Sequence, residues 1–233
     1  MKAIKDLVRK SVARSTFRKI ITVRNSIRDL GTHLCRQSAY GRRLRSHCRG
    51  RQDLLLNVGC GSLVKAAWIN ADYAPCVGAF YLDVLDGFPL ADGSVRHIHC
   101  EHFLAYLDFG DAVEFLTECY RVIRPSGTMR VIVPDAERYM HAYCQNDDGF
   151  FAKLEHLGGA IEPLKPKNMV CNHSFRMGGD HRFAWDFETL DTAAKKSGFT
   201  ASRSSINDVE AELRIDGQDW WRPFESLYVN LWK

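Results

Sequence analysis

Leu54-Leu55-Leu56-Asn57-Val58-Gly59-Cys60-Gly61 reads as a buried parallel strand that runs straight into a glycine turn. A short apolar run bounded by turn residues fits a strand covered on both faces. Gly59 and Gly61 let the backbone turn sharply and approach a ligand more closely than a Cβ would allow. The same pattern also occurs in ordinary strand-to-loop turns, so its meaning depends on the elements C-terminal to it.

Those elements alternate strands with helices. Trp68-Ile69-Asn70-Ala71-Asp72 reads as a second short strand ending in an acid, and Ala79-Phe80-Tyr81-Leu82-Asp83-Val84 as a third. Asp92-Gly93 marks a turn, and Val95-Arg96-His97-Ile98-His99-Cys100 alternates with the period of a fourth strand. Asp111 to Ile123 is amphipathic and predicts a helix that stops at Pro125-Ser126-Gly127, before a fifth strand at Met129–Pro134. Residues 136–180, broken by Asp147-Asp148-Gly149, Gly158-Gly159, Pro163 and Pro166, predict a helical insertion over the carboxyl ends of the strands. A helix at 186–197 and a closing antiparallel pair, Thr200–Ile206 with Ser226–Trp232, complete an α/β chain with a mostly parallel, Rossmann-like sheet.

Charge is divided unevenly along the 233 residues. Residues 1–51 hold 15 Lys and Arg against two acids, and residues 52–233 hold 17 against 26. The chain is thus a basic extension (1–51) on an acidic body (52–233). Ile4, Leu7, Val8, Val12, Phe17, Ile20, Ile21, Ile27 and Leu30 recur near helical spacing among the basic residues. Such helices pack on the body, lie on an anionic membrane surface or grip nucleic acid, in that order of expectation. Residues 36–51 read as a linker. Eight cysteines without a Cys-x-x-Cys pair argue against a zinc site or a redox dithiol, and predict a reduced, cytoplasmic setting, with peripheral contact at the inner membrane face if the arm docks there. No run approaches the roughly 20 apolar residues of a membrane span, and charges recurring through residues 1–30 leave no signal-peptide core.

Taken in order, Asn57–Gly61, Asp72, Asp83-Val84, Phe88-Pro89-Leu90-Ala91-Asp92-Gly93-Ser94 and Glu118-Cys119-Tyr120-Arg121-Val122-Ile123-Arg124-Pro125-Ser126-Gly127 resemble the class I S-adenosylmethionine-dependent methyltransferases. The resemblance covers residues 52 to about 200. With Asn172–Arg176, Gly179–Leu190 and Gly198-Phe199, the chain is most similar to a bacterial branch of methyltransferases associated with surface-polysaccharide biosynthesis. This likeness implies the cofactor S-adenosylmethionine, contacted by Asn57, Val58, Gly59, Cys60, Gly61, Asp72, Tyr73, Asp83, Val84, Cys100 and Glu101. Asp72 would accept the ribose hydroxyls, and Asp83 with the Val84 backbone would meet adenine. Both acids also suit, as the lesser expectation, a turn or a helix cap. Cys60 and Cys100 suit packing as small hydrophobes.

Three positions depart from the family. Asn57 stands where an acid is usual, and Leu104-Ala105-Tyr106 stands where relatives carry Leu-Glu-His. Asp72 follows Gly61 by only 11 residues, so the first crossover has room for little or no helix. That leaves a flank of the sheet for the basic N-terminal helices to cover.

The resemblance implies O-methylation of a hydroxyl, most simply on a saccharide or glycan precursor. Such an acceptor needs its proton removed as it attacks. His102, just after the fourth strand, is the first candidate base, with Glu101 to orient it. It equally suits a histidine satisfied in a loop. His181 is the second candidate, with Arg176 and Arg182 for an anionic acceptor, although a buried histidine beside Trp185 is the plainer reading. Asp135, closing the fifth strand, suits support of a base or a metal ion, although one carboxylate is weak ground for a metal site and none is assigned. RNA or protein methylation through the basic arm is the runner-up, without the Pro-Pro box of base amino-methylation. A cofactor-binding or membrane-docking protein that has lost its chemistry is the third reading.

Overall fold

The computed structural model describes residues 42–74, 76–154, 166–208, 210–216 and 222–233. Helix α1 spans residues 42–48. Strands β1 (Leu54–Val58), β2 (Ile69–Asp72), β3 (Phe80–Tyr81) and β4 (Val95–Glu101) precede helix α2 (Phe109–Val122) and strand β5 (Ile123–Pro134). Helices α3 (Ala136–Cys144), α4 (Asp148–Leu154), α5 (Lys167–Arg176) and α6 (Phe187–Lys196) come next. Strand β6 (Thr200–Ser204), the single turn α7 (Arg222–Glu225) and strand β7 (Ser226–Trp232) close the chain. The seven strands form one sheet in the order β3-β2-β1-β4-β5-β7-β6. All pairs from β3 to β5 are parallel, and β7 runs antiparallel to both β5 and β6. This is the mostly parallel sheet with a closing antiparallel pair that the sequence predicts.

One face of the sheet is apolar. Leu56, Ile98, Met129, Val131, Val229 and Leu231 share a core with Phe115, Leu116 and Cys119 of α2 and Leu190, Ala193 and Ala194 of α6. In α2 the buried positions Ala112, Phe115, Leu116, Cys119 and Val122 recur at helical spacing, which gives a single stripe toward the sheet. Helix α1 adds Leu44 and Cys48, four residues apart, to the same core. Residues 36–51 are therefore not wholly a linker, because the helix sets that i, i+4 apolar pair on one face, toward the core. The predicted helices of residues 3–30 lie outside the described residues.

The other face is polar. Ladder pairing sets Asn70 beside Asn57, Asn57 beside His99, His99 beside Arg130, Arg130 beside Asn230 and Asn230 beside Ser202. A row of polar side chains thus crosses six strands, and its first five members are buried. Two loop connections, residues 59–68 and the β6–β7 connection, hydrogen-bond to it. A helix satisfies its own backbone and needs an apolar seat, whereas a loop laid on a sheet carries unpaired amides and carbonyls that need polar partners.

Asn57 Nδ2 donates to Leu63 O and to Asn70 Oδ1, while Asn70 accepts from Lys65 N and donates to Lys65 O and Trp68 O. These bonds hold the helix-free crossover of residues 59–68. Farther along, Arg130 forks onto Asp216 at 2.6 and 2.9 Å and donates to Asn230 Oδ1 and Ser205 O, and Asn230 donates to Asp208 O. The connection between β6 and β7 is clasped there; whether the N-terminal helices cover a flank of the sheet falls outside the described residues.

Two element boundaries differ from expectation. Helix α2 ends at Val122, and Pro125-Ser126-Gly127 lies within β5 as a bulge, where the register jumps from Val95 opposite Ile123 to His97 opposite Thr128. Ser126 adopts φ +61° there, so the break ends the ladder locally rather than the helix. Strand β3 keeps only Phe80 and Tyr81, because Asp83 turns the chain by accepting from Leu85 N at 3.1 Å.

Candidate functional site

At the carboxyl ends of β1 to β3 the glycine turn is built against neighbouring backbone. Gly59 (φ +65°) and Cys60 both donate to Ala71 O, at 2.9 and 3.3 Å. A Cβ at Gly59 would lie 2.5 Å from Phe103 Cγ, whereas one at Gly61 (φ +49°) would meet no atom within 4 Å. The first glycine serves packing and the second leaves open space over the turn.

Asp72 at the end of β2 receives Gly61 N on Oδ2 (2.8 Å) and Ala74 N on Oδ1 (2.7 Å). It is a turn acid in this respect, yet each oxygen retains a second acceptor direction. Asp83 at the end of β3 caps the turn Val84–Asp86. Tyr73 is half-exposed, with its ring 5.7 Å from that of Tyr81. Asn57 has both amide hydrogens engaged inside the protein. Cys60 Sγ lies 3.9 Å from Cys76 Sγ, and burial pushes both the Cys60 and Cys100 thiols up to about 12. Neither thiol ionises near neutrality, in keeping with a packing role.

The second half of the site gathers where β4 and β5 end and β7 begins. His102 (φ +50°) leaves β4 with its backbone N bonded to Ile132 O, and its Nε2 lies 3.0 Å from Ser226 Oγ and 3.4 Å from Glu225 Oε1. Ser226 donates its hydroxyl hydrogen to Glu225 Oε1 (2.8 Å), and Tyr139 donates to Glu225 Oε2 (3.0 Å). Ser226 Oγ can therefore only accept from His102, which assigns the ring hydrogen to Nε2 and the lone pair to Nδ1. Burial, reinforced by the charge of Arg222, lowers the His102 pKa to about 3, and burial raises that of Glu225. The imidazole is neutral at physiological pH.

Glu101, the residue expected to orient His102, is engaged elsewhere. Its side chain stays on the polar face of β4, with Oε2 3.3 Å from His99 Nε2 and Oε1 3.3 Å from Arg222 Nη1. Glu225 occupies the orienting position instead. Glu225, Ser226 and Tyr139 escape a reading of the sequence; the one available signal is an acid and a serine at the mouth of the last strand.

His181 sits beside the same cluster. Its Nδ1 donates to Ser174 O at 2.7 Å, which leaves Nε2 as the acceptor nitrogen, and its ring meets Tyr106 edge-on at 5.0 Å. Tyr106 thus packs on His181. Arg182 is 3.4 Å from Asp108, and Arg176 is exposed. Asp135 is buried at the N-cap of α3, receives Arg138 N at 3.4 Å and bridges to Trp185, and burial raises its pKa. It holds the start of α3 in place. Among the described residues no cluster of three His, Cys, Asp or Glu side chains could hold a metal ion, and no helix is long and apolar enough to cross a membrane.

No protein-family model matches the chain, and no curated protein matches it. Solved structures of similar shape include an S-adenosylmethionine-dependent methyltransferase from Archaeoglobus fulgidus, with 17% identity over 84% of this chain and 94% of that one and a TM-score of 0.46. A chain from the complex of the Haloferax volcanii Trm112 methyltransferase activator with a methyltransferase gives 18% identity, 88% and 93% coverage and 0.45. An S-adenosylmethionine-dependent methyltransferase from Thermotoga maritima gives 15%, 91% and 96%, and 0.44. Likenesses this distant describe shape alone.

Proposed function

We propose that the chain is an S-adenosylmethionine-dependent O-methyltransferase acting on a hydroxyl of a saccharide or glycan precursor. The observation that carries this reading is the meeting, on one edge of the sheet, of an open glycine turn with two strand-end acids and of a histidine held by a buried carboxylate. Gly61 leaves open space over the turn, and Asp72 and Asp83 stand on adjacent strand ends beside it. These features fit the cofactor. Asp72 would hold its ribose, Asp83 and Val84 its adenine, and the Gly59–Gly61 backbone its amino-acid part. When bound, the cofactor supplies an electrophilic methyl group.

The remaining work falls to the chain. His102 Nδ1 takes the proton of the acceptor hydroxyl, while Glu225 and Ser226 fix the ring through Nε2–H and stabilise the imidazolium that forms. Burial holds the ring below the near-neutral pKa that best suits a general base; the Glu225 carboxyl group 3.4 Å away offsets this as the imidazolium forms, and the proton leaves to water once the product departs. Tyr106, about two-fifths exposed beside His181, offers an aromatic face to a sugar ring. The saccharide choice rests on this face and on the sequence resemblance.

Titration calorimetry with S-adenosylhomocysteine, then a labelled methyl-transfer screen over glycans, nucleotides and RNA, tests the proposal. Absence of cofactor binding sinks every methyltransferase reading. Transfer to RNA but to no glycan replaces the saccharide.

A further inference from the structure

We propose that Arg42, Arg45 and Arg49 form a binding site for a phosphate-rich ligand at the edge of the sheet opposite the glycine turn. The three arginines lie at i, i+3 and i+7 along α1 and the turn that ends it, so they share one face. They line a recess of about 580 Å³ with Phe88, Leu90 and Arg121. That volume is in the range of ligand sites. The recess lies beside the segment leading into β4 and the last turn of α2, at the amino ends of the parallel strands.

The wall of the recess is fixed and, among the described residues, its arginines carry no acid partner. Leu44 and Cys48 anchor α1 in the core, which forces the opposite face outward. All three arginines are exposed. Other arginines are paired, Arg96 with Glu210, Arg203 with Glu137 and Arg124 with Asp53. Arg121, which also lines the recess, is engaged by Glu118, Asp92, Phe88 O and Leu90 O, so those two acids are already paired. Like charges at i, i+3 and i, i+4 repel and destabilise a helix, and an anion bound between them reverses the sign of that interaction.

The residue type narrows the ligand. Residues 20–64 contain eight arginines and no lysine. Guanidinium forks bind phosphate with two parallel hydrogen bonds, whereas an ammonium offers a point charge. Clustered phosphate is therefore the chemistry recognised, whether on a soluble molecule or on the headgroups of an anionic bilayer. The assignment is independent of the methyltransferase reading, because none of these residues touches the edge where the glycine turn lies.

The test compares the full chain with two charge-matched variants: Arg42→Gln/Arg45→Gln/Arg49→Gln, and a control on the exposed surface of the body, Lys153→Gln/Lys195→Gln/Lys196→Gln. Calorimetry with inorganic tripolyphosphate and flotation with phosphatidylglycerol vesicles are run on all three, with thermal melting as the fold check. The recess variant should lose affinity about tenfold or more in at least one arm while the control stays within about threefold. Loss in the first arm identifies a soluble phosphate ligand, and loss in the second a lipid phosphate. Equal losses in both variants, or none in either, overturn the site in favour of diffuse charge. Should the recess variant melt early, Arg45→Gln alone, at an exposed position, carries the same comparison.

Discussion

Adding a single methyl group at Gly59 or at Gly61 separates the packing role of the glycine turn from its binding role. At Gly59 the new carbon would stand 2.5–2.6 Å from Phe103 Cγ, Cβ and Cδ2, and the backbone is left-handed at φ +65°. The left-handed conformation costs a residue with a Cβ about 1 kcal/mol, and forced displacement of packed atoms about 1–3 kcal/mol. Gly59→Ala should thus lose about 2–4 kcal/mol, or roughly 4–16 °C in Tm for a chain of this size. At Gly61 only the conformational cost applies, because nothing lies within 4 Å of the added carbon. Gly61→Ala should melt only about 2–4 °C early, but bind S-adenosylhomocysteine about tenfold or more weakly, since the methyl enters the space assigned to the cofactor. Differential scanning calorimetry and titration calorimetry read the two effects separately. Wild-type affinity in Gly61→Ala would refute the placement of the cofactor, and a wild-type melting temperature in Gly59→Ala would refute the packing argument.

Three further perturbations probe the polar clusters. Asp216→Asn leaves Arg130 buried with a neutral partner and should cost about 3–5 kcal/mol in urea unfolding; an unchanged midpoint would show the clasp to be inert. Burial, with help from His99 and Arg130, lowers His97 from its ordinary 6.5 to about 3. Between those values the unfolded chain holds a proton that the folded chain lacks, so stability is full above pH 6.5 and falls on acidification. The loss reaches about 2 kcal/mol at pH 5. His97→Gln should flatten that slope, measured as the difference between urea midpoints at pH 7.5 and pH 5. Once an acceptor is known, His102→Ala should lower kcat about 10²- to 10⁴-fold with cofactor affinity within twofold, and Glu225→Gln about tenfold or more. Full turnover by His102→Ala would remove this base, and the wild-type rate should show no break near pH 6.5.

The parts of the fold that depend on period and punctuation are readable from the chain. Strand β1 with its glycine turn, the stripe of α2 and the antiparallel close at Ser226–Trp232 declare themselves through local pattern. The helix-free crossover is implied by the short gap between Gly61 and Asp72. The polar row is not readable, because it exists only across strands: Asn57, His99 and Arg130 each look like an ordinary outward position until pairing sets them side by side. Glu225 is hidden for the same reason. It lies 123 residues beyond His102 in the chain, and Glu101, adjacent in sequence, points along the wrong face of β4. Residues 42–48 look like a linker because their five basic or polar positions mask two apolar ones.

A sheet seated on helices by one face and on hydrogen-bonded loops by the other also has a thermal signature. Unfolding exposes apolar surface, which raises heat capacity, and polar surface, which lowers it, with a usual sum of about 12–15 cal/mol/K per residue. For 233 residues that norm is about 2.8–3.5 kcal/mol/K. Here the row from Asn70 to Asn230 and its Arg130–Asp216 clasp replace a second apolar layer, so the heat-capacity change falls below the norm. Its stability curve is correspondingly flat, and the fold gives up less of its stability on cooling than a sheet with two oily faces.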